Sequence, residues 1–334
     1  MRPTTIYTSF QCVLRMALPL CLATSCCAQQ NISSRYSYQD VNYPNSIYSV
    51  PLGINNLRVV AGTYIDVHGV FHGFKWRAGT FTQIDNPKGI GTTAGGINDR
   101  GDIVGTYIDA KGFQHGYKLA SPELCLVEDA RPACKQVFTE FDFPGAVQNQ
   151  IPFELGPGLG TAGIGINDLG EVVGMYAAGV YSNGFVEFRG SYKAIDNPSA
   201  SHKTGNGTKC FTVSNIGVLA CDYITQKTPT SPQITHGFLK DGPLNIPIDF
   251  PGADKLGFGT QISGVNIFGT AVGTYFDGAT LHALMWVGGK FFIADVPGTP
   301  YNELHAINDR GDITGAYGTD PSGQVLRGFV AFPR

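Results

Sequence analysis

The stretch "GGINDRGDIVGTY", residues 95–107, returns almost letter for letter as "HAINDRGDITGAY" at residues 305–317. Four further copies share the pattern: "INNLRVVAGTY" (54–64), "INDLGEVVGMY" (166–176), "SNIGVLACDY" (214–223) and "VNIFGTAVGTY" (265–275). Aligned on their turns, they give a column of Asn55, Asn98, Asn167, Asn215, Asn266 and Asn308. A second column holds Tyr64, Tyr107, Tyr176, Tyr223, Tyr275 and Tyr317. Self-similarity along a chain marks a repeat architecture, in which each unit is one supersecondary element.

Two further segments recur with the hairpin. Upstream stand "QDVNYP", "TQIDNP", "TEFDFP", "KAIDNP", "IPIDFP" and "FIADVP", each closed by a proline, which cannot donate to a strand ladder. Asp85, Asp142, Asp196, Asp249 and Asp295 lie two residues before five of these prolines, and Asn42 before the other. Downstream come "HGFKW", "HGYKL", "NGFVEF", "HGFLK", "HALMW" and "RGFVAF", with the alternation of half-buried strands. The asparagine suits an Asx-turn, and Gly101 and its equivalents suit positive φ; Arg58 stands where that glycine would be. Each unit therefore carries about four short strands, the size of a propeller blade, and no such blade buries both faces alone. The expected fold is all-β: a six-bladed β-propeller of four-stranded blades, closed by the N-terminal strand joining the last blade. An open or sandwich-like stack of the same hairpins is the competing arrangement.

Composition agrees. Only 15% of the 334 residues are charged while 44 are glycine, which favours short strands and tight turns over surface helices. A net charge of -3 gives no basic footprint, so nucleic acid and anionic membrane surfaces are not expected partners. Arg2 followed by "MALPLCLATSCCA" reads as an export signal over residues 1–28, too short to span a bilayer. A short linker, 29–36, and a single propeller domain, 37–334, follow. "ATSC" ending at Cys26 makes a lipid-anchored form the alternative to free secretion into the periplasm or medium. Four cysteines remain after the signal, and sequence proximity favours the pairs Cys125–Cys134 and Cys210–Cys221. Four reduced, buried cysteines are the alternative.

With these columns in view, the chain resembles the HAF-type extracellular repeat proteins of bacteria. The shared elements are the "IN-x-x-G-x-(I/V)-VG-x-Y" hairpin, the "H-(A/G)-F" strand and the "D-x-PG" strand, over about residues 37–334. The departures are Cys221 in place of the hairpin glycine, a fourth turn one residue shorter, and Asn183 and Arg327 in place of histidine. The resemblance implies an exported repeat protein and implies no particular chemistry.

The candidate binding residues are the column His72, His115, Asn183, His236, His282 and Arg327. A ring of imidazoles near an axis is one reading; a local bond from each histidine to the aspartate before the proline is the favoured one, because a metal needs three or four ligands converging on a point. Residues repeated in every unit serve every unit, and the aspartate and tyrosine columns are read in the same way. The two "RGD" tripeptides, Arg100–Asp102 and Arg310–Asp312, fall on turns that the repeat already requires, so adhesion is the weaker reading. "GPGLGTAGIG" (156–165) lacks the ending of a phosphate-binding loop and reads as a flexible loop, and the "DVHG" and "DAKG" turns offer too few oxygens for calcium. No nucleophile elbow, zinc spacing or cofactor fingerprint occurs, so no cofactor and no metal are expected.

Function on a repeat scaffold sits where the repeats differ. Residues 120–137, 146–162 and 224–235 break the pattern; the last two belong to the face opposite the asparagine turns. The expected function is a non-enzymatic, monomeric binding or scaffold module whose ligand is a glycan, peptide or protein. The alternative is an extracellular hydrolase or lyase with an axial site built from His and Asp of several blades.

Overall fold

In the computed structural model the described residues are 30–120, 136–147, 160–228, 230–254, 257–321, 323 and 325–334. The signal segment, Cys26, Cys125, Cys134 and most of the first two insertions lie outside them. The described residues contain no α-helix, only a short 3-10 turn at Ser33–Arg35.

The hairpin supplies the two inner strands of an antiparallel sheet, the histidine segment the third, and the pre-proline segment of the next copy the fourth. The first sheet is Tyr48–Ile54, Val60–Ile65, Phe71–Arg77 and Thr80–Ile84. The second is Gly89–Ile97, Ile103–Asp109, Gln114–Ala120 and Val137–Phe141. The third is Thr161–Ile166, Val172–Ala177, Ser182–Phe188 and Ser191–Ile195. The fourth is Gly207–Val213, Leu219–Thr225, Ile234–Asp241 and Leu244–Ile248. The fifth is Thr260–Val265, Ala271–Phe276, Leu281–Val287 and Lys290–Ile293. The sixth is Tyr301–Ile307, Ile313–Gly318 and Leu326–Pro333, and its outer edge is occupied by the N-terminal strand Tyr36–Asp40. Innermost strands of consecutive sheets touch, and that of the sixth touches that of the first. The architecture is all-β and propeller-like.

The core lies in layers between neighbouring sheets. Val59, Ala61 and Ile84 of the first meet Ala94, Ile103 and Tyr117 of the second, while Ile54 and Phe74 of the first meet Ala306 and Val330 of the sixth. A large side chain of the histidine strand fills each layer: Phe74, Tyr117, Phe185, Phe238 and Phe329 in five of the sheets, and Leu284 in the fifth sheet, are fully buried. Each such ring stabilises the fold by roughly 2–3 kcal/mol. The hairpin glycine follows from that packing. Gly62 pairs with Phe74, and a Cβ on it would lie 2.4 Å from the ring. In the fourth sheet Cys221 takes this position opposite Phe238 and forms a disulfide with Cys210 on the adjoining strand.

The turns are tied to one another. Asn98 Oδ1 accepts the N–H of Asp102 within its own turn, and its Nδ2 donates to Asn167 O of the next, 3.1 Å away. Asn55 donates to Asn98 O, Asn167 to Ser214 O, Asn266 to Asn308 O, and Asn308 back to Asn55 O. The following residue makes a second set. The N–H groups of Asn56, Asp99, Asp168, Ile267 and Asp309 donate to side-chain oxygens of Asp99, Asp168, Asn215, Asp309 and Asn56.

This corrects one column. Ser214, not Asn215, closes the fourth turn: its N–H bonds Val218 O, as that of Asn98 bonds Asp102 O. Asn215 holds the place of Asp99, and the fourth turn has the same length as the others. Serine has no second donor and Ile267 no side-chain acceptor, so both sets of bonds are interrupted between the fourth and fifth units. Two other expectations change. Residues of the expected 29–36 linker are docked: Gln30–Asn31 pair with Phe292–Ile293, and Ile32 is buried. Residues 161–165 of the glycine-rich stretch belong to the strand Thr161–Ile166 rather than to a loop.

Arg58 adopts positive φ, 59°, where the other turns have glycine. Its guanidinium makes two bonds to Asp312 at 3.0 and 3.1 Å and lies 4.3 Å from the centre of the Phe332 ring, so it clamps the sixth sheet to the first. Asp312, the acid of the second tripeptide, is fully buried in this clamp, while Asp102 is paired with its own Arg100. Neither acid is presented as an adhesion loop would require.

Replacing Asn98 by aspartate removes the inter-turn donor to Asn167 O, leaving that carbonyl only the N–H of Gly170 in its own turn, and sets a carboxylate beside it. We expect a loss of about 2–4 kcal/mol, read as a fall in the urea midpoint. Arg58→Ala should cost about 1–3 kcal/mol, and Arg58→Gly less, because glycine relieves the positive φ. A glycine variant melting below the alanine variant would contradict the backbone argument, and an alanine variant as stable as the wild type would contradict the clamp.

Candidate functional site

Each candidate histidine is held inside its own sheet. Nδ1 of His72, His115, His236 and His282 lies 2.8, 2.8, 3.0 and 2.8 Å from a carboxylate oxygen of Asp85, Asp142, Asp249 and Asp295. The rings stack on Tyr64, Tyr107, Tyr223 and Tyr275, with centroids 4.9 to 5.1 Å apart. Nε2 faces a turn group: Asp66, Asp109 and Asp277 in three cases, and the Thr225 hydroxyl for His236. Where Asn183 replaces histidine it bonds the Tyr176 hydroxyl, and His202 from a neighbouring turn pairs with Asp196 instead. Arg327 pairs across the strands with Tyr317, whose hydroxyl donates to Asp40. Asn42 accepts the N–H of Gly328. Among the described residues no three His, Cys, Asp or Glu side chains are grouped to hold a metal.

Tyrosine, histidine and aspartate sit at consecutive strand ends, opposite the asparagine turns. The sequence reading missed the partner of this network. Ser49, Thr92, Thr161, Thr208, Thr260 and Asn302 pair directly with the column tyrosines. Each side chain accepts the N–H of the residue between the Asp or Asn and the Pro, at 2.9–3.0 Å. These small polar residues sit among glycines and varied neighbours, so only the shared bond makes them a column.

Flanking positions on the innermost strands differ from unit to unit, and there the sixth unit stands out. The residue before the hydroxyl column is Tyr48, Gly91, Gly160, Gly207, Gly259 or Tyr301; the residue after it is Val50, Thr93, Ala162, Lys209, Gln261 or Glu303. Two further along, His305 replaces Leu52, Gly95, Ile164, Phe211 or Ser263. The Tyr301 hydroxyl donates to Glu303 Oε1 at 2.7 Å, His305 Nε2 lies 3.1 Å from Glu303 Oε2, and His305 Nδ1 lies 3.0 Å from Pro51 O of the first unit. Burial opposes ionisation of Glu303, but the bonds and charge of His305 and the bond from Tyr301 outweigh it and hold the acid below the ordinary carboxylate range. Burial, with the charge of Glu303, pushes Tyr48 up to about 12.

Tyr301 also walls a cavity of about 300 Å³ between the fifth and sixth units, lined by Phe258, Phe276, Leu281, Thr280 and Pro321. Gly323 allows its backbone to lie against the Tyr301 ring, where a Cβ would come within 2.5 Å. A pocket with aromatic walls can hold the apolar face of a ligand, and the Glu303 carboxylate behind Tyr301 fixes the orientation of one of those walls. Behind the asparagine turns a smaller axial cavity, about 80 Å³, is bounded by Leu52, Ile164 and Phe211.

No protein-family model matches the chain, and no curated protein matches it in sequence. Solved structures do. AofleA from Arthrobotrys oligospora superposes with a TM-score of 0.52 at 10% identity, covering 90% of each chain. The Aleuria aurantia lectin AAL, solved with Fucα1-6GlcNAc, gives 0.48 at 13% identity, over 86% of this chain and 97% of that one. The β-propeller domain of the Trilobed protease from Pyrococcus furiosus gives 0.45 at 11% identity, over 87% and 94%. At these identities the likeness concerns the fold and does not extend to a ligand.

The histidine column has a pH consequence. The hydrogen bond to Asp295 raises the pKa of His282, against burial, with the charges of Asp295 and Asp277 adding to it. Its folded pKa exceeds its unfolded one. The stabilisation is therefore complete below about pH 6.5 and lost as pH rises through the raised value. The Tm advantage of the wild type over His282→Gln should hold below about pH 6.5 and shrink as the pH rises above it. An advantage that grows with pH would refute the assignment.

Proposed function

We propose that this chain is an exported, closed six-bladed β-propeller that works as a non-enzymatic binding module, with its ligand at the mouth opposite the asparagine turns. One observation carries the reading. The repeated His, Asp and Tyr side chains are bonded within their units, whereas Glu303 and His305, found in the sixth unit alone, form a bonded chain with Tyr301, which walls an aromatic cavity at that mouth. The pairing of Tyr36–Asp40 with the last sheet and the return bond from Asn308 to Asn55 support closure. The Cys210–Cys221 bond supports an oxidising compartment, in keeping with the HAF-type resemblance.

Glycans are the class of ligand that this mouth suits best: aromatic faces for the C–H side of a sugar ring and an ionised Glu303 for its hydroxyls. The Glu303–His305 pair is also what a hydrolase or lyase would use for proton transfer, and it is the one feature favouring that second reading.

A glycan array screened with the purified protein, then calorimetric titration of the best hit, tests the proposal. Tyr301→Ala and Glu303→Gln should each weaken binding at least about tenfold while leaving Tm within a few degrees. Unchanged affinity in both variants would remove this mouth from consideration. Turnover of the bound glycan that Glu303→Gln abolishes would favour the enzyme.

A further inference from the structure

The opposite face carries a feature that neither the repeat nor the ligand mouth explains. Two residues after the asparagine, at the outermost point of each turn, stand Leu57, Arg100, Leu169, Ile216, Phe268 and Arg310. Leu57, Leu169, Ile216 and Phe268 are 58, 62, 48 and 74% exposed. Turn tips in water ordinarily carry polar residues. The turn itself does not ask for an apolar side chain, since Arg100 and Arg310 occupy the same position with the same backbone bonds. Four of the six units thus expose a bulky apolar group for no structural return.

Their arrangement is informative. Asparagine bonds join the turns side by side at every junction but that of the fourth and fifth units, so equivalent tips stand next to one another on this face. Leu244 and Val287, 56 and 41% exposed, extend the apolar half outward on the same end of the fourth and fifth sheets. Arg100 and Arg310 stand in the other half, with about half of each side chain exposed. The carboxylates just inside, Asp99, Asp168 and Asp309, accept N–H groups of adjoining turns and sit inward of the tips.

We propose that this face docks on the surface of a lipid bilayer, with the apolar tips entering the interfacial zone and the two arginines meeting headgroup phosphates. Side chains of three shapes on one face suit a flat, laterally fluid partner, which needs no shape complementarity. Guanidinium groups on the same face match the anionic oxygens of the headgroups. Net charge alone argues against electrostatic recruitment, and insertion of apolar tips does not depend on it. Docked in this way, the module turns its ligand mouth away from the membrane.

The test uses protein purified without an acyl group and vesicles of phosphatidylcholine, alone or with phosphatidylglycerol. Wild-type protein should float with both, more with the anionic mixture. Leu169→Ser combined with Phe268→Ser should cut the bound fraction at least about fivefold. Phe268→Trp should shift its emission to the blue on adding vesicles, whereas Val67→Trp, on the ligand face, should not. Tyr301→Ala should float like the wild type, which separates this inference from the glycan proposal. Absence of flotation with either composition, or flotation unaffected by the double serine variant, would overturn it. So would a dimer in light scattering that Phe268→Ser dissociates, because the occupant would then be a second copy of the chain.

Discussion

The side-chain amide of the turn asparagine holds this architecture together. Its oxygen satisfies the N–H groups of its own turn, and its nitrogen donates to the backbone of the next one. Aspartate has the acceptor without the donor, and serine can close the turn but reaches no further. A residue that performs both tasks at once must be an amide, which is why the column is asparagine wherever the link to the following turn is made. Each bond is modest alone. Between neighbouring sheets they are mutually dependent, since a sheet displaced from its neighbour loses its packing layer along with the link.

The fourth unit shows what happens when one link is missing. Ser214 ends the amide chain and Ile267 ends the parallel set of N–H bonds, at the same seam. Other contacts tie that seam: the Thr212 hydroxyl donates to Ser263 O, and Gln261 donates to the buried Asp222. The disulfide Cys210–Cys221 braces the two inner strands of the same unit, where the glycine found in other copies would give a less rigid pair. Local loss and local compensation fall in one place, as expected where stability is a sum over units and their interfaces.

Most of the fold was legible in the sequence because its constraints recur. A turn that needs an amide, a strand that cannot pass a proline and an aromatic ring that needs a glycine opposite leave the same letters in most of the six units. Legibility failed where bonding did not follow the letters. Asn215 looked like the fourth turn asparagine, yet the turn is set by backbone bonds that belong to Ser214. The site was less legible for the converse reason. The histidine column drew attention because it repeats, and repetition was the sign that it supports each sheet. Tyr48, Tyr301, Glu303 and His305 form no pattern in the chain; only the register of the innermost strands brings them to one mouth.

A ring of similar sheets has two ends, and here their chemistry differs. One end carries Tyr301, which walls a cavity and is bonded through Glu303 to His305, a chain found in the sixth unit alone. The other end carries the turns, whose backbone bonds recur from unit to unit while their outermost residues vary among Leu, Ile, Phe and Arg. Variation confined to the tips means that the scaffold does not dictate them, so their apolar character reflects what they meet outside the molecule. Because the two ends share the innermost strands but no side chains, a change at one should leave the other intact. On the two proposals made above, that independence lets one symmetric scaffold hold a ligand at one mouth while a separate surface governs where it is held.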